Sequence, residues 1–290
     1  MPTHQVPAIS VIVPVRDGAG SLPALLESFE RQTLPRGQFE TIVVDNASRD
    51  DTGEIARAWG ATVVHEPVPN RSGARNRGAQ AARTDLFAFT DADCVATESW
   101  LEALLSCARK EPITAGEVAI ATNPEPNAVE RFESLWRFGQ EQWVSEGWAA
   151  TANLCVRRSV FDAVHGFDTS WRHIGEDVDF CYRAARLGYR VAWCPGAVVS
   201  HRAEDRLWPM LKRSFFHGYS VNQAHYRLGA GYRAWKRPWS AVSGNGALTR
   251  TGAVPDSFPA EEWSRMLRLA RASYGARVLG SVWAELRRAR

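Results

Sequence analysis

Among residues able to do chemistry, the leading group is Asp91-Ala92-Asp93, which ends the apolar run Leu86-Phe87-Ala88-Phe89 and gives way at Cys94 to loop-like sequence. A buried strand that stops on paired carboxylates puts both at the rim of a sheet, where open α/β folds hold ligands. Hard cations such as Mg²⁺ and Mn²⁺ sit on one or two carboxylates while substrate phosphates complete the shell, so the pair suits a divalent ion carrying a diphosphate. The same tripeptide also serves turns and helix caps, which Asp favours. The surrounding elements weigh on the choice.

Those elements alternate short apolar runs with amphipathic segments, the pattern of βαβ units and a mainly parallel sheet. Strands are predicted over Ile9–Val15, Thr41–Val44 running into Asp45, Thr62–Val64 and Leu86–Thr90. Between them, Leu22, Leu25, Leu26 and Phe29 recur at helical spacing, as do Ile55, Ala56 and Trp59 behind caps in Ser48–Thr52, and Ala74–Ala82 forms a third helix. From Ala96 the pattern predicts a helix at Trp100–Leu105, a strand over Ile113–Ala121, one aromatic helix over Phe132–Trp148, a short helix at Val160–Val164, a longer one over Val178–Leu187 and a strand at Arg190–Trp193. Beyond His201, Leu207, Leu211 and Phe215 mark a helix, Ala234–Pro259 reads as loops, and Glu261–Leu286 resumes helical periodicity. No internal repeat or low-complexity linker interrupts the chain.

Composition sets outer bounds. The 290 residues suffice for a sizeable core, and the 45% hydrophobic and 23% charged fractions belong to an ordered globular protein. A net charge of +3 on scattered basic residues argues against nucleic acid as a partner. The five cysteines, Cys94, Cys107, Cys155, Cys181 and Cys194, have no zinc-ligand spacing and read as reduced, buried thiols of a cytoplasmic protein. Met1–Ala8 carries no secretory pattern, and no apolar run reaches the ~20 residues that span a bilayer. The basic end of the last helix admits two readings, a solvated tail or contact with anionic lipid at the inner face of a membrane.

Set in order, Val11-Ile12-Val13-Pro14-Val15, Asp45-Asn46-Ala47-Ser48 with Asp50 and Thr52, Asp91-Ala92-Asp93, and Gly175-Glu176-Asp177-Val178-Asp179 closely resemble family 2 glycosyltransferases from about Ile9 to His201. The resemblance implies the Rossmann-like GT-A fold: an α/β domain over residues 1–205, with a nucleotide-sugar half to about 95 and an acceptor half beyond, followed by a helical extension over 206–290. It implies a nucleotide-base pocket at Pro14, Val15 and Asp45, where a carboxylate accepting from uracil N3–H would favour a UDP-sugar. The family often has Asp-Asp-Gly-Ser where this chain has Asp45-Asn46-Ala47-Ser48. Arg75, in a loop and helix start running from Asn70 to Gly78, becomes the candidate contact for an anionic ligand.

By the same resemblance Asp91 faces the ribose and sugar, Asp93 holds Mn²⁺ or Mg²⁺ on the diphosphate, with Ala92 between them, and His201 supplies a further metal ligand. Asp177 is the expected catalytic base, deprotonating an acceptor hydroxyl as it attacks the sugar, with Glu176 beside it. A plain helix N-terminus also accounts for these acids. Trp148, Trp171 and His173 are candidate acceptor contacts through their aromatic faces, or ordinary packing residues. The Gln-x-x-Arg-Trp motif of processive synthases is missing after Asp177, so a single transfer to a small-molecule, glycan or lipid-linked acceptor is expected. Two competing classes are nucleotidyl transfer to a sugar phosphate, which wants a glycine-rich phosphate loop where Arg16-Asp17-Gly18-Ala19-Gly20 stands, and a nucleotide-sugar binding module without catalysis.

Overall fold

The continuous runs fold as strands buried on both faces, which is what a sheet covered by crossover helices demands. In the computed structural model the chain is described over residues 7–136, 138–229 and 260–288. Most of Met1–Ala8, the predicted loops of Ala234–Pro259 and the final Ala289 and Arg290 lie outside the described residues.

Two compact units make up the chain. The first runs to Ala119 and resumes over Gly139–Arg172 and Glu176–Arg202. Its strands β1 (Ile9–Val15), β2 (Phe39–Asp45), β3 (Thr62–His65) and β4 (Leu86–Thr90) are linked through α1 (Leu22–Glu30), α2 (Thr52–Trp59) and α3 (Arg71–Ala81). All four are parallel, in the spatial order β3-β2-β1-β4. Chain direction across the sheet therefore reverses beside β1, and the crevice beyond the carboxyl ends of β1 and β4 is the place where such sheets bind ligands. Pro14 lacks an N–H, and the β1–β4 ladder ends before it, at Ile12.

Beyond β4 the sheet becomes mixed. Strand β5 (Cys94–Ala96), helix α4 (Trp100–Ala108), strand β6 (Ile113–Ala121), helix α6 (Gln140–Ser145), strand β7 (Asn153–Arg157), helices α7 (Arg158–Ala163) and α8 (Glu176–Arg186) and strand β8 (Val191–Arg202) complete this half. The full order is β3-β2-β1-β4-β7-β6-β8-β5, with β7 antiparallel to β4 and β5 antiparallel to β8. Buried Asn153 ties these strands together: it accepts from Trp100 Nε1 at 2.9 Å and donates to the carbonyls of Glu117 and Ala197. Strand β8 passes so close that a Cβ at Gly116 would sit 2.0 Å from the Ala197 carbonyl oxygen.

The second unit comprises Ile120–Phe138, His173–Gly175 and Ala203 onward, so it draws in two segments ahead of the extension expected from residue 206. Helix α5 (Ala128–Trp136), helix α9 (Leu207–Arg227) and helix α10 (Ala260–Arg288) share a core of Phe132, Met210 and Met266. Helices α9 and α10 run side by side in the same direction, as the contacts Ser214–Ser273, Gly218–Ser281 and Asn222–Glu285 show. Their backbones touch at two glycines. A Cβ on Gly218 would lie 1.9 Å from the Arg277 carbonyl oxygen, and one on Gly280 equally close to that of Phe215.

Several expectations are corrected. The single helix predicted over Phe132–Trp148 is two, because α5 stops at Trp136 and α6 starts only after Gly139. The sequence after Asp93 is a strand rather than a loop, since β8, far longer than Arg190–Trp193, offers it a pairing edge. Nor are all cysteines reduced. Packing of α4 on β8 brings Cys107 and Cys194 to a Cα separation of 6.1 Å and they form a disulfide across 87 residues of sequence, while Cys94, Cys155 and Cys181 are free and buried. Closing so long a loop restricts the unfolded chain, so Cys107→Ser should lower stability by roughly 2–5 kcal/mol. Thermal unfolding with and without reductant checks this: reductant should lower the wild-type midpoint and leave the variant unchanged.

Candidate functional site

At the carboxyl ends of β1 and β2, Asp45 follows a buried strand and stands opposite Val15 in the ladder. Its Oδ1 accepts from the Ser48 N–H at 3.0 Å, while Oδ2 faces His65 Nδ1 at 3.8 Å. Ala47 occupies the left-handed region at φ 59°, which is where the resembling family often has glycine. The family's second Asp is Asn46 here, and the geometry explains why. Its Nδ2 donates to the carbonyls of Glu66 and Val68, and its Oδ1 accepts from the Asn70 N–H at 3.0 Å. A carboxylate could not donate. Asn46→Asp should therefore loosen residues 66–70 and cost about 1–3 kcal/mol, read as a lower thermal midpoint.

Asn70 in turn caps α3, its Oδ1 accepting from Gly73 N–H at 2.9 Å. Arg71, Arg75 and Gly78 share one stripe of this helix through their i, i+4, i+7 spacing. Gly78 lets the stripe press on the sheet, for a Cβ there would lie 2.4 Å from Ile12 Cγ2. Arg75, expected to meet an anionic ligand, is only 1% exposed and spends its Nη atoms on protein carboxylates: Nη1 on Glu176 at 2.8 Å and Nη2 on Asp91 at 3.0 Å. Burial works against the charge of Asp91, yet Arg75, then Arg71 and His201, outweigh it and hold that carboxyl below the usual range.

Arg71 was not singled out by sequence, although its position one turn before Arg75 was a usable signal. Its side chain remains solvent-exposed. Crowding by protein opposes its charge, but the carboxylates of Glu176, Asp91, Asp93 and Asp177 prevail and raise its pKa. Acids from both motifs, far apart in sequence, thus act on one guanidinium.

Pairing of β5 with β8 sets Cys94 opposite His201 and brings His201 Nε2 to 3.2 Å from Asp93 Oδ1. The imidazole Nδ1 lies 2.9 Å from the Arg202 carbonyl, which can only accept, so Nδ1 carries a hydrogen. Unless also protonated, Nε2 then points a lone pair at a carboxylate, an arrangement that a cation between them would satisfy. Cys94 contributes a third donor within 4.8 Å of the others. Burial, and then Asp91 and Asp93, push its thiol far above its ordinary pKa, and a protonated thiol is a poor ligand for a hard ion. Asp93 and His201 therefore fit a divalent cation, with oxygen donors left for a ligand to supply.

Gly175, at φ 117°, turns the chain into α8, whose first turn holds Glu176, Asp177 and Asp179. Each has a different surrounding. Glu176 is buried against Arg75 and Asp179 pairs with Arg183 at 2.7 Å, whereas Asp177 is half-buried, its Oδ1 accepting from the Val178 N–H. Trp148, stacked on Trp143 at 4.5 Å, and Trp171 are both buried, so as placed their rings pack rather than present a face. His173 lies in the second unit and is exposed, stacked on Phe216 at 3.9 Å.

The model of glycosyl transferase family 2 matches residues 10–167, and that of glycosyl transferase family group 2 matches residues 143–237. Glycosyltransferase AglE of Haloferax volcanii is 30% identical over 224 residues, covering 73% of this chain and 72% of that protein. The pre-mycofactocin glycosyltransferase of Mycobacterium tuberculosis is 31% identical over 234 residues, 76% of this chain but only 47% of the relative. Among solved structures, a mannosyltransferase from Pyrobaculum calidifontis in complex with GDP-Man and Mn²⁺ superposes with a TM-score of 0.65 at 19% identity, covering 96% of this chain and 88% of that one. TarS of S. aureus with UDP-GlcNAc gives 0.55 at 15% identity, covering 93% and 81%. These two likenesses establish the GT-A fold.

Proposed function

The chain belongs to glycosyl transferase family 2, and from that premise we propose that it moves a sugar from a nucleotide sugar to an acceptor hydroxyl in a single inverting displacement that depends on a divalent cation. The observation that carries this reading is the joining of the two acidic motifs by Arg75, which reaches Asp91 at 3.0 Å and Glu176 at 2.8 Å, with Asp93 facing His201 at 3.2 Å. Asp93 and His201 would hold Mn²⁺ or Mg²⁺, which would neutralise charge on the departing diphosphate. Arg71, exposed beside the acids, is the cation available to the same phosphates, while Arg75 holds Asp91 and Glu176 in place.

Asp177 takes the proton of the acceptor hydroxyl as its oxygen bonds to C1 of the sugar. The C1–O bond to the diphosphate breaks on the opposite face and the nucleoside diphosphate leaves. Asp45, at the end of β2 beside Val15 of β1, accepts from the imide N–H of the base, which favours a UDP donor. Pro14 and Val15 wall this pocket, and Asp91 and Ala92 face the ribose and sugar. The α/β domain over 1–205 binds the donor and the extension over 206–290 contributes to acceptor choice, with His173 as a contact. Transfer is non-processive.

Incubation with UDP-, GDP- and dTDP-sugars plus Mn²⁺ tests this directly. Release of a nucleoside diphosphate from one of them, abolished by chelation, is the expected result. Pyrophosphate release from a nucleoside triphosphate and a sugar phosphate would favour nucleotidyl transfer instead, and tight nucleotide-sugar binding with no turnover would favour a binding module.

A further inference from the structure

Helix α10 has two apolar sides, and among the described residues only one of them is covered. Ser273, Gly280 and Ala284 are buried, with Ser273 and Gly280 set against α9. On the other side Val278, Leu279, Val282, Trp283 and Leu286 are between 44% and 63% exposed. At ~100° per residue these five fall within a sector of roughly 140°. The same sector roughly two to four turns earlier presents Arg265, Arg268 and Arg271, all exposed. At the far end, the Arg287 guanidinium lies 5.3 Å from the Trp283 ring centre. From Ser264 to Leu286 the only acid is Glu285, which accepts from Asn222 and Tyr226 beside the covered face.

We propose that this outward face of α10 docks the second unit on an anionic lipid surface. The helix would lie in the plane of the interface, with Val278, Leu279, Val282, Trp283 and Leu286 among the upper acyl carbons and the arginines against lipid phosphates, the arrangement of interfacial amphipathic helices. Among the described residues no helix is long and apolar enough to cross a membrane, so the contact is peripheral. A second copy is a poorer occupant. The patch offers five large side chains where a stable dimer takes about 20 or more residues a side, and a parallel alignment of two such faces sets arginines against arginines while an antiparallel one leaves them unpaired. An anionic surface complements both the charge and the apolar stripe.

The inference goes beyond sugar transfer, and its test needs no turnover. The whole chain is sedimented with vesicles of phosphatidylcholine alone and of phosphatidylcholine mixed with phosphatidylglycerol, at low and high salt. The wild type should partition onto the mixed vesicles and be released by salt. Arg268→Gln and Arg271→Gln should each weaken that partition about fivefold, and the pair Leu279→Gln, Leu286→Gln should weaken it at least roughly tenfold. Because these residues are exposed, the thermal midpoints should stay at the wild-type value, and Leu279→Gln alone repeats the test if the pair does not. Three results would overturn the proposal: no partition onto either vesicle, partition that ignores all the substitutions, or self-association through this face without vesicle binding.

Discussion

Asp177→Asn should lower the turnover of sugar transfer by about 10²–10⁴-fold while leaving nucleotide-sugar affinity within about threefold of the wild type. The amide keeps the size of the carboxylate and its contact with the Val178 N–H, but it cannot take a proton. Neighbouring Glu176 cannot substitute, because its carboxylate is buried in the ion pair with Arg75. Steady-state transfer rates, set beside calorimetric donor binding, separate these effects. A variant that kept the full rate would remove Asp177 from the chemistry.

Arg75→Met should have the largest effect on stability. One guanidinium, nearly sealed from solvent, neutralises carboxylates from two distant segments, Asp91 after β4 and Glu176 at the start of α8. Methionine fills much of the volume but removes the paired guanidinium from buried Glu176 and from partly exposed Asp91, leaving exposed Arg71 to act on both. Breaking a buried pair in this way costs about 3–5 kcal/mol, or roughly 10 °C or more of thermal midpoint in a domain of this size. Arg75 holds Asp91 below the usual carboxylate range, so its contribution fades as Asp91 protonates, and the gap between variant and wild-type midpoints should narrow from neutral towards acid pH. Arg71→Gln makes the contrast: Arg71 is exposed, so its loss should weaken nucleotide-sugar binding and leave the midpoint near that of the wild type.

Much of this was legible in the chain itself. Ile9–Val15, Thr41–Val44 and Leu86–Thr90 are short, largely apolar runs whose length and β-branched or aromatic content suit strands buried on both faces of a sheet. The acids at their ends followed from strand polarity and from the family likeness. What stayed hidden depends on pairing across long sequence separation. Nothing near His201 reveals that β8 extends to Arg202 and pairs with a three-residue strand at Cys94, and nothing near Cys107 reveals Cys194. Arg75 read as a ligand contact because a helix start suggests one, whereas its burial follows from Gly78 drawing α3 onto the sheet. Trp148 and Trp171 fit a stacking surface and a core equally well by composition, and their burial is visible only in the folded chain.

Calorimetric binding of the reactive nucleotide sugar, with Mn²⁺ and with chelator, in the wild type, Asp93→Asn and Asp177→Asn tests the assembly of acids and ion most directly. Binding should weaken at least roughly tenfold on chelation, an allosteric-sized coupling of over 1 kcal/mol, and Asp93→Asn should bind as weakly whether or not the ion is present. Asp177→Asn should keep the full dependence on Mn²⁺. Equal affinity of the wild type with and without the ion, or an Asp93→Asn variant that retains the wild-type response to Mn²⁺, would contradict a cation held at Asp93 and His201.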